Sequence, residues 1–284
     1  MPAPNFLGIG AQKAGTSWLF HNIFQHPDVR SGNRKELHYY DDPERYAQGR
    51  EWYESQFTRN PSGSIVGECT PAYLWTVGEL PPGATEVQTF DIAERVAADY
   101  GPDEGHDLRL IVCLRDPVDR AVSSFFHSMK HRRYPGASSP IEAARTWPGI
   151  IEKSRYATQI DAWLDHFPRQ AFLFLVYETD IKPDDNKAIT FRRALNHIGA
   201  DSSYCTNDLY DLRNVRLSHF DLRLANAGPV ASRVMRRLPR IARDHPLWNI
   251  PITDTELSYL ASEFAIDVAY CENLLGRKLP WRRH

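Results

Sequence analysis

Phe6-Leu7-Gly8-Ile9-Gly10-Ala11-Gln12-Lys13-Ala14-Gly15-Thr16-Ser17-Trp18-Leu19-Phe20 is the stretch whose reading decides the fold. A short apolar run passes through a loop of small residues holding one lysine. Leu19, Phe20, Ile23 and Phe24 then recur at the spacing of one buried helical face, so the pattern reads as strand, loop, helix. Glycines let the backbone approach a ligand closely, and the first N–H groups of a helix starting near Gly15 have no partner within the helix. An anion satisfies them. Thr16 and Ser17 add hydroxyl donors where the helix dipole is positive, and Lys13 supplies a full charge, so the expectation is a phosphate cradle. The loop departs from a regular Walker A sequence, because Thr16 stands where the lysine belongs and the lysine comes three residues earlier. A tight turn from strand to helix is the other reading that this segment allows.

A second junction of the same kind follows Leu108 to Leu114, an apolar run broken only by Arg109, as expected of a parallel strand covered on both faces. It ends in Arg115-Asp116-Pro117, where Asp116 suits a helix cap and Pro117 the first turn. Val118, Ala121, Val122, Phe125 and Met129 form a buried stripe, which leaves Arg120, Ser123, Ser124 and His127 on the opposite side. Arg115 thus stands at the carboxyl end of a strand, the edge where open parallel sheets bind ligands. A guanidinium holds phosphate in a bidentate fork, so Lys13 to Ser17 and Arg115 with Ser123 suit a ligand phosphorylated at two places. Pairing of Arg115 with a surface carboxylate stays open.

The remaining pattern alternates. Helices are expected over Tyr46 to Phe57, Ile92 to Tyr100, Tyr156 to Phe167, Phe191 to Ile198 and Leu257 to Gly276. Strands are expected over Ser64 to Glu68 and Ala171 to Tyr177. Leu74 to Thr89 reads as loop, and Arg213 to Pro251 as long loop with short helices. Strands alternating with helices predict one α/β domain over residues 1–284, with a central parallel sheet flanked by helices.

Composition bounds the function. Hydrophobic residues at 42% and charged ones at 25% are ordinary for a globular chain, and a net charge of −2 gives no overall field that attracts nucleic acid or an anionic membrane. Seven arginines between Arg216 and Arg243 read as a solvated face or as a patch for a highly anionic ligand. Cys69, Cys113, Cys205 and Cys271 form no C-x-x-C pair, which suits free thiols in a reducing compartment. With no charged-then-apolar leader and no run of membrane-spanning length, the expected location is cytoplasmic.

At this point the motifs carry a resemblance. Gly10 to Ser17, followed by Leu114-Arg115-Asp116-Pro117-Val118-Asp119-Arg120-Ala121-Val122-Ser123-Ser124, resembles the motif pair of sulfotransferases that use 3′-phosphoadenosine 5′-phosphosulfate. The resemblance extends from residue 6 to about 180, with Tyr156 to Pro168 similar to a further family segment. It implies a P-loop-like segment, Lys13, Ala14, Gly15, Thr16, Ser17 and Trp18, that holds the 5′-phosphosulfate. It implies also that Arg115 and Ser123 hold the 3′-phosphate, with adenosine 3′,5′-bisphosphate as product. Lys13 would stabilise charge growing on the leaving phosphate, and no metal is required where lysine and arginine neutralise the phosphates.

Within that family, Arg34-Lys35-Glu36-Leu37-His38-Tyr39-Tyr40-Asp41 resembles the K-E-x-H-F-F segment of the heparan sulfate glucosaminyl sulfotransferase branch. The resemblance implies Glu36 as the base that deprotonates the acceptor, with His38 orienting substrate or assisting proton movement. Glu68-Cys69-Thr70-Pro71-Ala72-Tyr73 resembles the E-K-[ST]-P-x-Y segment, yet Cys69 stands where that branch has lysine. A neutral residue removes a charge suited to a sulfated polysaccharide, so the acceptor stays open between a carbohydrate and another small molecule, and between hydroxyl and amine. Trp18, Tyr39, Tyr40, Trp52, Tyr53, Tyr73 and Trp75 either line its cleft or belong to the core. Two rival classes remain. A P-loop kinase or nucleotide hydrolase wants lysine at position 16 and a strand ending in aspartate for Mg²⁺, and a nucleotide-binding module without catalysis needs neither Glu36 nor His38.

Overall fold

A computed structural model describes residues 3–57, 64–76, 91–131, 139–145, 147, 149–211, 218–239, 245 and 249–283. Five strands, β1 (Phe6–Gly10), β2 (Val29–Ser31), β3 (Ile65–Cys69), β4 (Arg109–Leu114) and β5 (Phe172–Val176), form one sheet in the order β2-β3-β1-β4-β5. Every pairing is parallel, with Phe6 opposite Gly67 on one side and Arg109 on the other. The apolar runs of β1 and β4 are buried almost throughout because helices cover both faces.

Helix α1 (Thr16–Ile23) follows β1 and packs on α9 (Asp184–His197), whereas α4 (Ile92–Tyr100) packs on α8 (Tyr156–Leu164). The chain moves along the sheet in opposite directions from β1 to β2 and from β3 to β4. Right-handed crossovers therefore carry α1 and α4 to opposite faces. Between β2 and β3 lie α2 (Pro43–Tyr46) and α3 (Gly49–Ser55), and between β4 and β5 lie α5 (Pro117–Lys130), α6 (Pro140–Ala144) and α7 (Gly149–Glu152) before α8. After α9 come α10 (His219–Asn226), α11 (Pro229–Arg236), α12 (Asp254–Glu263) and α13 (Ala265–Leu275).

Several expectations are corrected. The strand β2 is not among the expected strands; its three residues are too few to show a period. The helix expected over Tyr46 to Phe57 is divided, because Gly49 takes a left-handed φ of 82°. The last expected helix is two helices that meet at Phe264, whose side chain is fully buried. The strand expected through Tyr177 stops at Val176, where a single π-turn, Tyr177–Ile181, begins. On α5, Arg120 and Ser124 are buried rather than solvated. This helix is packed by α6, α7, α10 and α12, so its polar side also meets protein. The Arg120 guanidinium donates to Ser154 Oγ and the Ile150 carbonyl. The loop expected from Leu74 to Thr89 lies outside the described residues beyond 76, as does part of the stretch 213–251.

The close approach of β3 to β1 requires Gly67. A Cβ there would stand 2.4 Å from the Phe6 carbonyl oxygen and 2.6 Å from its ring. Gly67→Ala should lower stability by about 1–3 kcal/mol, read as a lower urea midpoint at unchanged slope. An unchanged midpoint would contradict this packing.

Candidate active site

The strand order reverses about β1: the chain adds β3 on one side of it and β4 on the other. Ligand crevices of open α/β sheets lie at such a reversal, outside the carboxyl ends of the strands. Two loops meet there. After β1, Lys13 and Gly15 take left-handed conformations, with φ of 75° and 93°, and α1 starts at Thr16 with no side chain capping its first amides. After β4, Asp116 caps α5 by accepting from the Val118 and Asp119 amides at 2.8 and 3.2 Å. Arg115 joins the two loops, since its Nη1 donates to the Lys13 carbonyl at 3.1 Å. Its guanidinium also covers the Tyr177 ring at 4.9 Å, and Nε is buried without a partner. The carboxylate partner that the sequence left open, Asp119, is 3.9 Å away, too far for a hydrogen bond.

A cleft of about 370 Å³ collects Lys13, Gly15, Thr16, Ser17, Trp18, Arg115, Ser123 and Glu36 on its wall. Ala14 and His38 are not on that wall: Ala14 is fully buried, and His38 stands behind Glu36 at 3.2 Å. Trp18 is itself fixed, because its indole N–H donates to the Leu209 carbonyl at 2.8 Å. Lys35, Lys130, Lys182 and Lys187 also line the cleft, so six lysine and arginine side chains face two carboxylates, Glu36 and Asp211. Sequence reasoning missed the last three lysines. They come from α5, the end of the π-turn and α9, and no local spacing relates them. The consequence of this crowding shows at Lys13. Burial, then the charges of Arg115, Lys130, Lys35 and Arg120, pull its ammonium down to about 8.

Glu36 sits on a loop whose backbone is held from below. The Leu37 amide donates to Glu68 Oε2 at 3.2 Å and to Thr70 Oγ1 at 3.1 Å. The His38 amide reaches Thr70 Oγ1 at 3.3 Å, and the Tyr39 amide donates to the Tyr73 hydroxyl at 2.9 Å. Glu68 completes the cluster by accepting from the Thr70, Tyr73 and Tyr53 hydroxyls at 2.6, 2.8 and 3.1 Å. Burial pushes its carboxyl above the usual range, against those hydrogen bonds. Tyr39, Tyr40, Tyr53 and Tyr73 are therefore core, and Trp18 is the one member of that aromatic set on the wall of the cleft.

His38 bridges two carboxylates, with Nε2 at 3.2 Å from Glu36 and Nδ1 at 2.9 Å from Asp41. Burial opposes its charge, but the hydrogen bonds to Asp41 and Glu36 prevail and raise it to about 10. The hydrogen bond from His38 in turn holds Glu36 below the ordinary carboxylate range.

The fold and the cleft define an α/β protein with a cationic cleft at the switch point of its sheet and a carboxylate on the cleft wall. The sulfotransferase domain family matches residues 4–190, and the chain belongs to that family. It is 31% identical over 179 residues to heparan sulfate glucosamine 3-O-sulfotransferase 3B1 of Homo sapiens, covering 61% of this chain and 40% of that protein. It is 32% identical over 183 residues to heparan sulfate glucosamine 3-O-sulfotransferase 6 of Homo sapiens, covering 61% and 46%. The chain spans less than half the length of these curated relatives. Among solved structures, a sulfotransferase from Alicyclobacillus acidocaldarius shares the fold with a TM-score of 0.64, at 22% identity and over 98% of each chain. No described helix is long and apolar enough to cross a membrane.

The Glu68 cluster yields an expectation of its own. Glu68→Ala removes an acceptor from the Leu37 amide and should cost on the order of 1–3 kcal/mol. Hydrogen exchange should quicken at Leu37, His38 and Tyr39 more than at amides of the sheet. Uniform change across the protein would mean that the cluster does not hold this loop.

Proposed function

We propose that the chain transfers the sulfuryl group of 3′-phosphoadenosine 5′-phosphosulfate to a hydroxyl of a carbohydrate or other small acceptor. The observation that carries this reading is a single cleft that gathers both loops, six cations and two carboxylates, of which Glu36 stands beside the loop after β1, at its wall. The residues present fit the donor: Lys13 is depressed by burial and by the positive charges around it, and the buried Arg115 Nε has no protein acceptor. Bound there, the donor supplies a sulfuryl group whose sulfur gains a bond to the acceptor oxygen as its bond to the 5′-phosphate oxygen breaks.

Lys13, with the amides and hydroxyls of Thr16 and Ser17, takes up the charge left on the 5′-phosphate. Arg115 and Ser123 hold the 3′-phosphate, and Trp18 presents an immobile ring beside them. Glu36 accepts the acceptor's proton on one carboxylate oxygen while His38 steadies the other. His38 is already protonated at neutral pH, so it orients Glu36 and does not take the proton itself. A kinase-type reading has no matching observation, because Thr16 occupies the lysine position and β4 runs into Arg115. Four free cysteines favour a reducing, cytoplasmic setting. The second core cluster shares α5 with the site, which favours one domain over residues 1–284.

Adenosine 3′,5′-bisphosphate at one hundred times its dissociation constant should add about 2.7 kcal/mol of stability. Mg-ATP should add less, and the reverse order sinks the proposal. Glu36→Gln should lower kcat by about a hundredfold or more while leaving bisphosphate affinity unchanged.

The depressed Lys13 sets a pH dependence. A phosphate brought against the ammonium raises its pKa, so binding takes up a proton, and affinity is highest where Lys13 is already charged. Above about 6, where the phosphates are fully ionised, bisphosphate affinity should therefore be level up to about 8 and fall by up to about tenfold per pH unit beyond it. Calorimetry in two buffers of different ionisation enthalpy reads the proton directly, and Lys13→Met should abolish the uptake.

A further inference from the structure

A second cavity, about 640 Å³, adjoins the cationic cleft and shares Thr16, Ser17, Lys35, Glu36 and Pro71 with it. Glu36 thus faces both spaces. An in-line transfer needs the acceptor oxygen on the side of the sulfur opposite the leaving phosphate. The cavity beyond the shared wall is the space that meets this demand while keeping the hydroxyl beside the base.

The chemistry of its lining differs sharply from that of the cleft. Its apolar surface comes from Phe20 and Phe24, which pack on each other with ring centroids 5.9 Å apart, and from Pro71 and Cys69. Burial pushes the Cys69 thiol well up, so it is an uncharged contact. Arg34 and Lys35 face two carboxyl groups, Glu36 and Glu68, and His21 lies 3.0 Å from Asp208. Cationic and acidic groups are balanced here, whereas in the adjoining cleft six cations face two carboxylates. A polyanion finds its complement in the cleft but not in this cavity, and a volume of this size suits a ligand of one or two rings.

From this partition, and resting on the sulfotransferase reading above, we propose that the cavity is the acceptor site and that it takes an uncharged hydroxyl compound with an apolar body. The body packs on Phe20, Phe24 and Pro71 over Cys69, and the hydroxyl points to Glu36 on the shared wall. A phenol and an alkyl glycoside share this chemistry.

The test is transfer from labelled donor to three acceptors, a simple phenol, an alkyl glucoside and heparan sulfate, after bisphosphate binding has been measured in the same protein. Transfer to the phenol or the glucoside, with the more efficient of the two identifying the source, is the expected result. Phe24→Ser should raise KM for that acceptor roughly tenfold with bisphosphate affinity unchanged. That KM should be insensitive to salt. Transfer to heparan sulfate alone, no transfer to either uncharged acceptor, or a KM that rises with salt overturns this inference. Should Phe24→Ser unfold the chain, the acceptor and salt arms still decide. Failure to bind the bisphosphate strikes instead at the donor reading, so the two are told apart.

Discussion

The hydrogen bond from Arg115 Nη1 to the Lys13 carbonyl is the contact on which the rest of the site depends. It joins the loop after β1 to the loop after β4, and neither loop alone presents more than one anion site. Neighbouring parallel strands make this possible, because both loops leave the same edge of the sheet. The second loop is braced in turn. The Tyr156 hydroxyl donates to the Arg115 carbonyl at 2.9 Å, and Glu178 accepts from the Asp116 amide at 3.1 Å and from the Trp281 indole at 2.8 Å. The Arg282 amide donates to Asp116 Oδ2 at 2.7 Å, so residues near 282 pin the cap of α5 from outside the sheet. Residues far apart in sequence therefore fix one guanidinium.

This bracing explains what was legible in the sequence. Lys13, Arg115 and Ser123 could be read because each follows a strand and precedes or lies on a helix, a local grammar of apolar run, small residues and cap. The sheet could be read for the same reason, since β1 and β4 are buried on both faces and their composition says so. Arg120 could not. Its place on the polar side of α5 predicts solvent, and only the packing of α6, α7, α10 and α12 around that helix buries it. Lys130, Lys182 and Lys187 were hidden likewise, because their meeting is a property of three elements at once. The division at Gly49 had a local signal, a glycine within a helical pattern, but a glycine there is compatible with continuation as well as with a break.

The loop carrying Glu36 shows how the fold would reconcile two demands on the base proposed for the reaction. A carboxylate must be ionised before the acceptor arrives, yet burial beside the wall of a cavity favours its neutral form. His38 resolves the conflict by carrying a positive charge of its own, which two carboxylates and the Thr70-anchored backbone hold in place. The sign of this coupling follows from its raised pKa. In the unfolded chain His38 loses its proton near 6.5, in the folded one near 10, so its contribution to stability is complete below 6.5 and is lost as pH rises through about 10. Within the neutral range the imidazolium stays charged and Glu36 stays ionised. Basicity is given up for readiness: the lowered Glu36 is a weaker proton acceptor than a free carboxylate, and in the proposed transfer the hydroxyl's own acidity must rise as its oxygen bonds to sulfur. Proton transfer late in the approach is what such a base is suited to, and it places the demand for precision on the loop rather than on the carboxyl group. The three consecutive amides held by Glu68, Thr70 and Tyr73 meet that demand.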